Sequence, residues 1–142
     1  MQGLSRIVPQ WDVPANVGAM VTTRLGGHSQ APYASLNLAA HVGDSMDSLL
    51  QNLAVLEESL PGSLSLQWLR QEHGSGIALI DSARDPISAD ALLTQTPGVA
   101  CCVLTADCLP VLLASARGDE VAIVHAGWRG MAAGLIEKTV HS

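Results

Sequence analysis

The sequence predicts an α+β fold, and three observations carry that expectation. Short β-rich apolar runs recur between turns that contain Gly and Pro. Two of them, one ending at Leu113 and one beginning at Val121, flank Ser115-Ala116-Arg117-Gly118-Asp119-Glu120, a polar stretch suited to closing a hairpin. Two further stretches, after Asp44 and after Gly130, carry apolar residues at helical spacing.

Taken in order, Val17 to Thr23 reads as a strand ending at Arg24. Leu25-Gly26-Gly27-His28-Ser29 follows as a loop whose glycines let the backbone approach another group closely. Residues 32–38 continue as extended or loop structure. A helix capped by Ser45 or Asp47 is expected to run to about Leu60, with Leu49, Leu50, Leu53, Leu56 and Leu60 on one face and Pro61-Gly62 as its stop. Leu64 to Leu69 and Ile77 to Ile80 read as strands around Gln71-Glu72-His73-Gly74-Ser75-Gly76, which sets His73 at a turn. Asp81 to Ser88 reads as a polar loop, Asp90 to Thr94 as a short segment and Pro97-Gly98 as a turn. Val99 to Leu113 then forms the first arm of the central hairpin, and Val121 to Val124 the second, expected as the exposed edge of its sheet. Met131 to Val140 is helical in pattern. With no cap or breaker after that helix, residues 1–142 are expected to be one domain and the N-terminal part of a longer one.

A hydrophobic content of 48% against 14% charged residues supplies a real core at the length of one domain. No apolar run reaches the roughly 18 residues of a membrane span, because Asp107 interrupts the most hydrophobic region. Met1 to Pro14 lacks the charged start and apolar centre of a signal peptide, so a cytoplasmic location is expected. The net charge of −6, from 7 Lys+Arg against 13 Asp+Glu, argues against nucleic acid and anionic membranes as partners and leaves the oligomeric state open. Cys101, Cys102 and Cys108 are crowded into eight residues, which suits buried thiols better than a disulfide framework.

Chemistry is expected at Cys108 and His125. Counted from the predicted hairpin, whose centre falls between Ala116 and Arg117, the two residues lie opposite each other, with Cβ atoms roughly 5–8 Å apart. A thiolate and an imidazole at that separation can share a metal ion, or act as nucleophile and base with Asp107 or Asp90 orienting the imidazole. Arg24 and Arg129 sit in Gly-rich loops and suit bidentate phosphate contact, with surface ion pairs as the alternative. Asn37, His41 and Asp44 could hold a ribose or a base edge, although Asp44 serves equally well at the start of the helix behind it. Trp68 and Trp128 flank His73 and His125 in sequence, and either a purine or the core would take them.

Seven segments then carry a resemblance. They are Thr22-Thr23-Arg24-Leu25-Gly26-Gly27, Ser35-Leu36-Asn37-Leu38, His41-Val42-Gly43-Asp44, Gln71-Glu72-His73-Gly74, Ala89-Asp90-Ala91, Thr105-Ala106-Asp107-Cys108-Leu109-Pro110 and His125-Ala126-Gly127-Trp128-Arg129-Gly130. In this order they resemble the bacterial YfiH family, also called the polyphenol-oxidase, laccase-domain or multicopper-oxidase-like family and the peptidoglycan editing factors. Its members are longer than this chain.

The resemblance implies mixed sheets packed together with flanking helices, a toxin-deamidase-like fold. It implies a zinc ion on His73, Cys108 and His125, and phosphorolysis of purine nucleosides (adenosine, inosine, methylthioadenosine) with adenosine deamination. Phosphate would be held by arginine, and Asp107 would manage the proton of the leaving base. Glu72 departs from the family pattern, which has an apolar residue before the histidine. The alternatives are a cysteine or zinc hydrolase acting on peptidoglycan precursors, a copper-dependent polyphenol oxidase, and a metal-binding module without catalysis. Copper should bind the same donors tightly in vitro, but the five histidines include no His-x-His pair of the kind a multicopper centre uses.

Overall fold

A computed structural model of the protein describes residues 4–62 and 64–142. Two compact units account for the described residues: those through Trp11 with Ala19–Gly62, and Asp12–Gly18 with those after Gly62.

In the first unit, β1 (Arg6–Ile7) pairs antiparallel with β2 (Val21–Thr22), so the run expected from Val17 forms only a two-residue strand. Helix α1 spans Met46–Glu58 with Ser45 as its N-cap residue, close to the expected limits. Its buried face is Leu49, Asn52 and Leu56, while Leu50 is 57% exposed. Five leucines fit the helical period, but Asn52 takes a core position because its amide meets the loops beside it. Asn52 Oδ1 accepts from the His28 N–H at 2.7 Å, and Nδ2 donates to Ser29 Oγ and to the carbonyls of Ser35 and Asn37. Buried polar atoms that are fully paired cost little, and here they fix the loop path.

The second unit holds two sheets. One has the order β5-β3-β7, from Ile87–Ser88, Ser65–Arg70 and Val99–Cys102, all parallel. The other has the order β4-β6-β9-β8, from Ile77–Ile80, Ala91–Thr94, Val121–Ala126 and Leu109–Ala114. Strand alternation assigns the faces of this second sheet. Ala78, Ile80, Leu92, Leu112 and Ile123 pack with Leu69, Val99 and Cys101 of the three-stranded sheet. Ala91, Val124 and Ala126 pack on the opposite side against Leu135 and Ile136 of the C-terminal helix. Strand β6, covered on both faces, is buried throughout.

Further expectations change, and Ile87–Ser88, read as the end of a polar loop, pairs as β5 because it lies parallel beside the end of β3. The stretch Val99 to Leu113 is two strands in two sheets, because β7 finds its partner in β3 and leaves after Cys102. Strand β9 is interior, and β8 is the edge beside it. The single C-terminal helix is two, α2 (Trp128–Ala132) and α3 (Leu135–Val140), separated at Gly134, whose φ of +76° a helix cannot accommodate.

Candidate metal centre

The central hairpin β8–β9 forms as expected, with its register one residue further along. Leu109 pairs with Ala126 and Pro110 with His125, which puts the centre between Arg117 and Gly118. Cys108 is therefore the diagonal neighbour of His125 and lies on the same face, two residues before its partner. His125 is two residues beyond Ile123, so it too faces the three-stranded sheet. The donors thus meet at the end of the four-stranded sheet where β4, β6 and β8 begin and β9 finishes.

His73 comes to the same point from the connection between β3 and β4. One ligand atom from each of His73, Cys108 and His125 lies within 4.8 Å of the others, with His73 exposed, Cys108 half-buried and His125 buried. The two imidazoles meet edge to face, ring centroids 4.8 Å apart.

Asp90, 1% exposed, organises this end of the sheet. Its Oδ1 lies 2.8 Å from His125 Nδ1 and also accepts the His73 backbone N–H at 2.9 Å. Its Oδ2 accepts the N–H groups of Gly74 and Glu72 at 2.8 and 3.2 Å. The 72–74 turn closes around the carboxylate, and His73 adopts a φ of +58° within it. Burial pushes the carboxyl of Asp90 up, but the hydrogen bonds from His125 and from the Gly74, Glu72 and His73 N–H groups outweigh it and hold the group below its ordinary 3.8. A carboxylate can only accept, so His125 carries a proton on Nδ1, which leaves Nε2 as the nitrogen available to a metal. Neither the pairing of Asp90 with His125 nor its hold on the turn was distinguishable in sequence from a bond made by Asp107, which is exposed.

Two smaller features shape the site. The Gln71 amide exchanges two 2.7 Å hydrogen bonds with the Leu104 backbone, tying the start of the His73 turn to the segment that leads to Cys108. A Cβ on Gly127 would stand 3.2 Å from Cys108 Sγ and 3.4 Å from His73 Cδ2, and one on Gly130 would stand 2.9 Å from the Gly74 carbonyl oxygen. Backbone packs on two of the donors at Gly127 and on the turn after His73 at Gly130, which explains the glycines in His125-Ala126-Gly127-Trp128-Arg129-Gly130.

The other expected residues are placed as follows. Arg129 is exposed, its guanidinium 4.5 Å from the centroid of the Trp128 ring, and Trp128 is 68% exposed. Arg24 donates from Nε and Nη2 to the Ala34 carbonyl at 3.0 and 2.6 Å. Asn37 Nδ2 and Ser29 Oγ both donate to Asp44 Oδ2, while Asp44 Oδ1 accepts the Ser45 N–H. Asp44 is thus tied to the start of α1, and His41 is exposed. Burial raises the thiols of Cys101 to about 11 and Cys102 to about 12, the latter also through Cys101, so neither competes as a thiolate. All three cysteines are free.

The donor set suits a metal. Two imidazole nitrogens and a sulfur are zinc donors, three protein ligands leave a position for water or substrate, and the carboxylate behind His125 is the usual outer partner of a metal-bound histidine.

Residues 18–142 match a family described as multi-copper polyphenol oxidoreductase laccase, and the chain belongs to that family. It is 49% identical over 136 residues to a purine nucleoside phosphorylase of Pseudomonas aeruginosa, covering 96% of this chain and 55% of the relative. To the purine nucleoside phosphorylase YfiH of Escherichia coli it is 47% identical over 139 residues, covering 94% and 56%. Its fold matches the Neisseria meningitidis protein NMB0706 with a TM-score of 0.86 at 38% identity, over 96% of this chain and 56% of that one. YlmD from Geobacillus stearothermophilus matches at a TM-score of 0.80 and 33% identity, over 89% and 51%. The chain spans about half the length of the curated relatives it matches. The α+β fold with packed mixed sheets is therefore the fold of this family.

Proposed function

We propose that the protein of which these residues form the metal-binding part is a zinc-dependent purine nucleoside phosphorylase. The observation that carries this reading is the convergence of His73, Cys108 and His125, with Asp90 on His125, in a chain whose relatives bear that name. Bound zinc would supply Lewis-acid polarisation of an oxygen and a water of near-neutral pKa.

The chain's own residues contribute around that centre. Arg129 holds a phosphate through its planar fork, kept in place by stacking on Trp128. A phosphate oxygen attacks the ribose C1′, the bond from C1′ to the purine nitrogen breaks, and the purine leaves with a proton, which Asp107 beside Cys108 is placed in sequence to manage. For the first unit, taken by itself, the same reading gives His41, Asn37 and Asp44 to a nucleoside and Arg24 to phosphate.

A second reading has its own observation. Cys108, His125 and Asp90 also form a nucleophile, base and orienting carboxylate, the arrangement of a cysteine hydrolase acting on amide bonds, peptidoglycan precursors included. Product analysis separates the two. Free purine with ribose-1-phosphate, formed from adenosine and inosine only when phosphate is present, is the expected result for the full-length enzyme. Ammonia and inosine from adenosine would add deamination. Turnover of an amide substrate by metal-free protein would replace the first reading with the second. Arg129→Lys keeps the charge but loses the fork, so the KM for phosphate should rise at least several-fold. An unchanged phosphate dependence would leave Arg129 as a surface residue stacked on Trp128.

A further inference from the structure

The metal reading names three donors, and Asp90 is not among them. Yet among the described residues Asp90 is the side chain bonded to parts of the chain that carry two of the three. Its Oδ1 is shared between His125 Nδ1 and the His73 N–H, and its Oδ2 between the N–H groups of Gly74 and Glu72. Register reinforces the arrangement: Ala91 pairs with Val124, and the His125 N–H donates to the Asp90 carbonyl at 2.7 Å, so backbone and side chain of Asp90 both hold His125.

We infer that Asp90 is the positioning residue of the His73–Cys108–His125 centre, fixing the Nδ1–H form of His125 and the turn that presents His73, and so making these donors competent for metal before any metal arrives. The inference deepens the zinc reading and rests on it for the identity of the metal.

The chemistry of an amide shows why the acid is needed. All four donors converge on acceptor atoms of Asp90, two on each oxygen. Asparagine has the same shape but only one acceptor oxygen. If its oxygen stays on the Glu72 and Gly74 side, its NH₂ faces Nδ1 of His125, which must turn into an acceptor and move its proton to Nε2, the atom a metal needs bare. If it is turned over, the NH₂ confronts the Gly74 and Glu72 N–H groups and the His73 turn loses its anchor. Either orientation disables one histidine.

The experiment uses the 142-residue chain and zinc alone. In metal-free wild type, imidazole nitrogen NMR should show His125 with a proton on Nδ1. Asp90→Asn, with an amide spectrum that remains dispersed, should move that proton to Nε2 or broaden the resonances of residues 72–74. Its zinc affinity, measured by competition with a chelator, should fall about 10–100-fold, the range for losing an outer partner of a metal ligand. A wild-type His125 with no proton on Nδ1 would overturn the inference, and that readout holds even if the variant fails to fold. So would a folded Asp90→Asn with unchanged zinc affinity. Wild type that binds no zinc while His125 keeps its proton on Nδ1 would sink the zinc reading and uphold the assignment of Asp90 to His125.

Discussion

Each donor at the centre is made useful by a neighbour that is not a donor. The Cys108 sulfur packs where Gly127 has no side chain, His73 rides on a turn wound about a carboxylate, and His125 has its proton placed by the same group. Cys108→Ala removes the thiolate, the strongest zinc donor of the three. Zinc affinity should therefore fall by more than the roughly 10–100-fold that loss of an outer partner costs, and more than in His73→Ala or His125→Ala. Elemental analysis of protein purified without chelator checks it, and a variant that retains its metal would remove Cys108 from the ligand set. At Gly130 the added methyl of Gly130→Ala would meet a backbone oxygen at 2.9 Å, which cannot swing aside as a flexible side chain would. Alanine favours a helix by about 1 kcal/mol, yet overpacking of about 1–3 kcal/mol should match or exceed it. A lowered midpoint in urea is the expected outcome, and a raised one would mean that the 72–74 turn yields freely.

Among the elements, strand β9 and helix α1 show how local pattern and tertiary partner divide the work. Strand β9 turns Ile123 and His125 toward one sheet and Val124 and Ala126 toward the helix, but with both faces buried its sequence carries no polar alternation, so its existence was legible and its faces and last residues were not. Helix α1 had legible limits but not a legible face, because Asn52 is buried by the loop atoms it bonds and no helical period encodes them. Asp44 belongs to the same assembly. Hydrogen bonds from the Ser29 and Asn37 side chains, opposed by slight burial and helped by the Ser45 N–H, hold its carboxyl below the ordinary 3.8. A depressed carboxyl contributes stability that is fully present above its unfolded pKa and is lost as pH falls through its folded pKa. Urea midpoints of wild type and Asp44→Asn should therefore differ most near neutrality, and the difference should shrink well below pH 3.8. A gap that persists in acid would assign the effect of Asp44 to shape rather than to charge.

For the molecule as a whole, charge is the property that composition alone governs. With a net charge of −6 at neutral pH and a pI near 5.1, the chain should be least soluble close to pH 5.1 and increasingly soluble toward neutrality, which light scattering across pH would check. A minimum elsewhere would point to titrations shifted strongly by the fold.

The α+β class, the hairpin that brings Cys108 near His125 and the turn that exposes His73 follow from the sequence alone, because alternation, glycine turns and helical spacing act over a few residues. Tertiary structure decided the rest. It sent β7 and β8 to different sheets, broke the last helix at Gly134 and placed β9 inside rather than at the edge. It also chose Asp90 over Asp107 as the partner of His125, since β6 pairs with β9 and carries Asp90 to the end of the sheet where His125 lies. Strand pairing joins residues 35 positions apart, and no local pattern in a single chain records which of two nearby carboxylates will arrive.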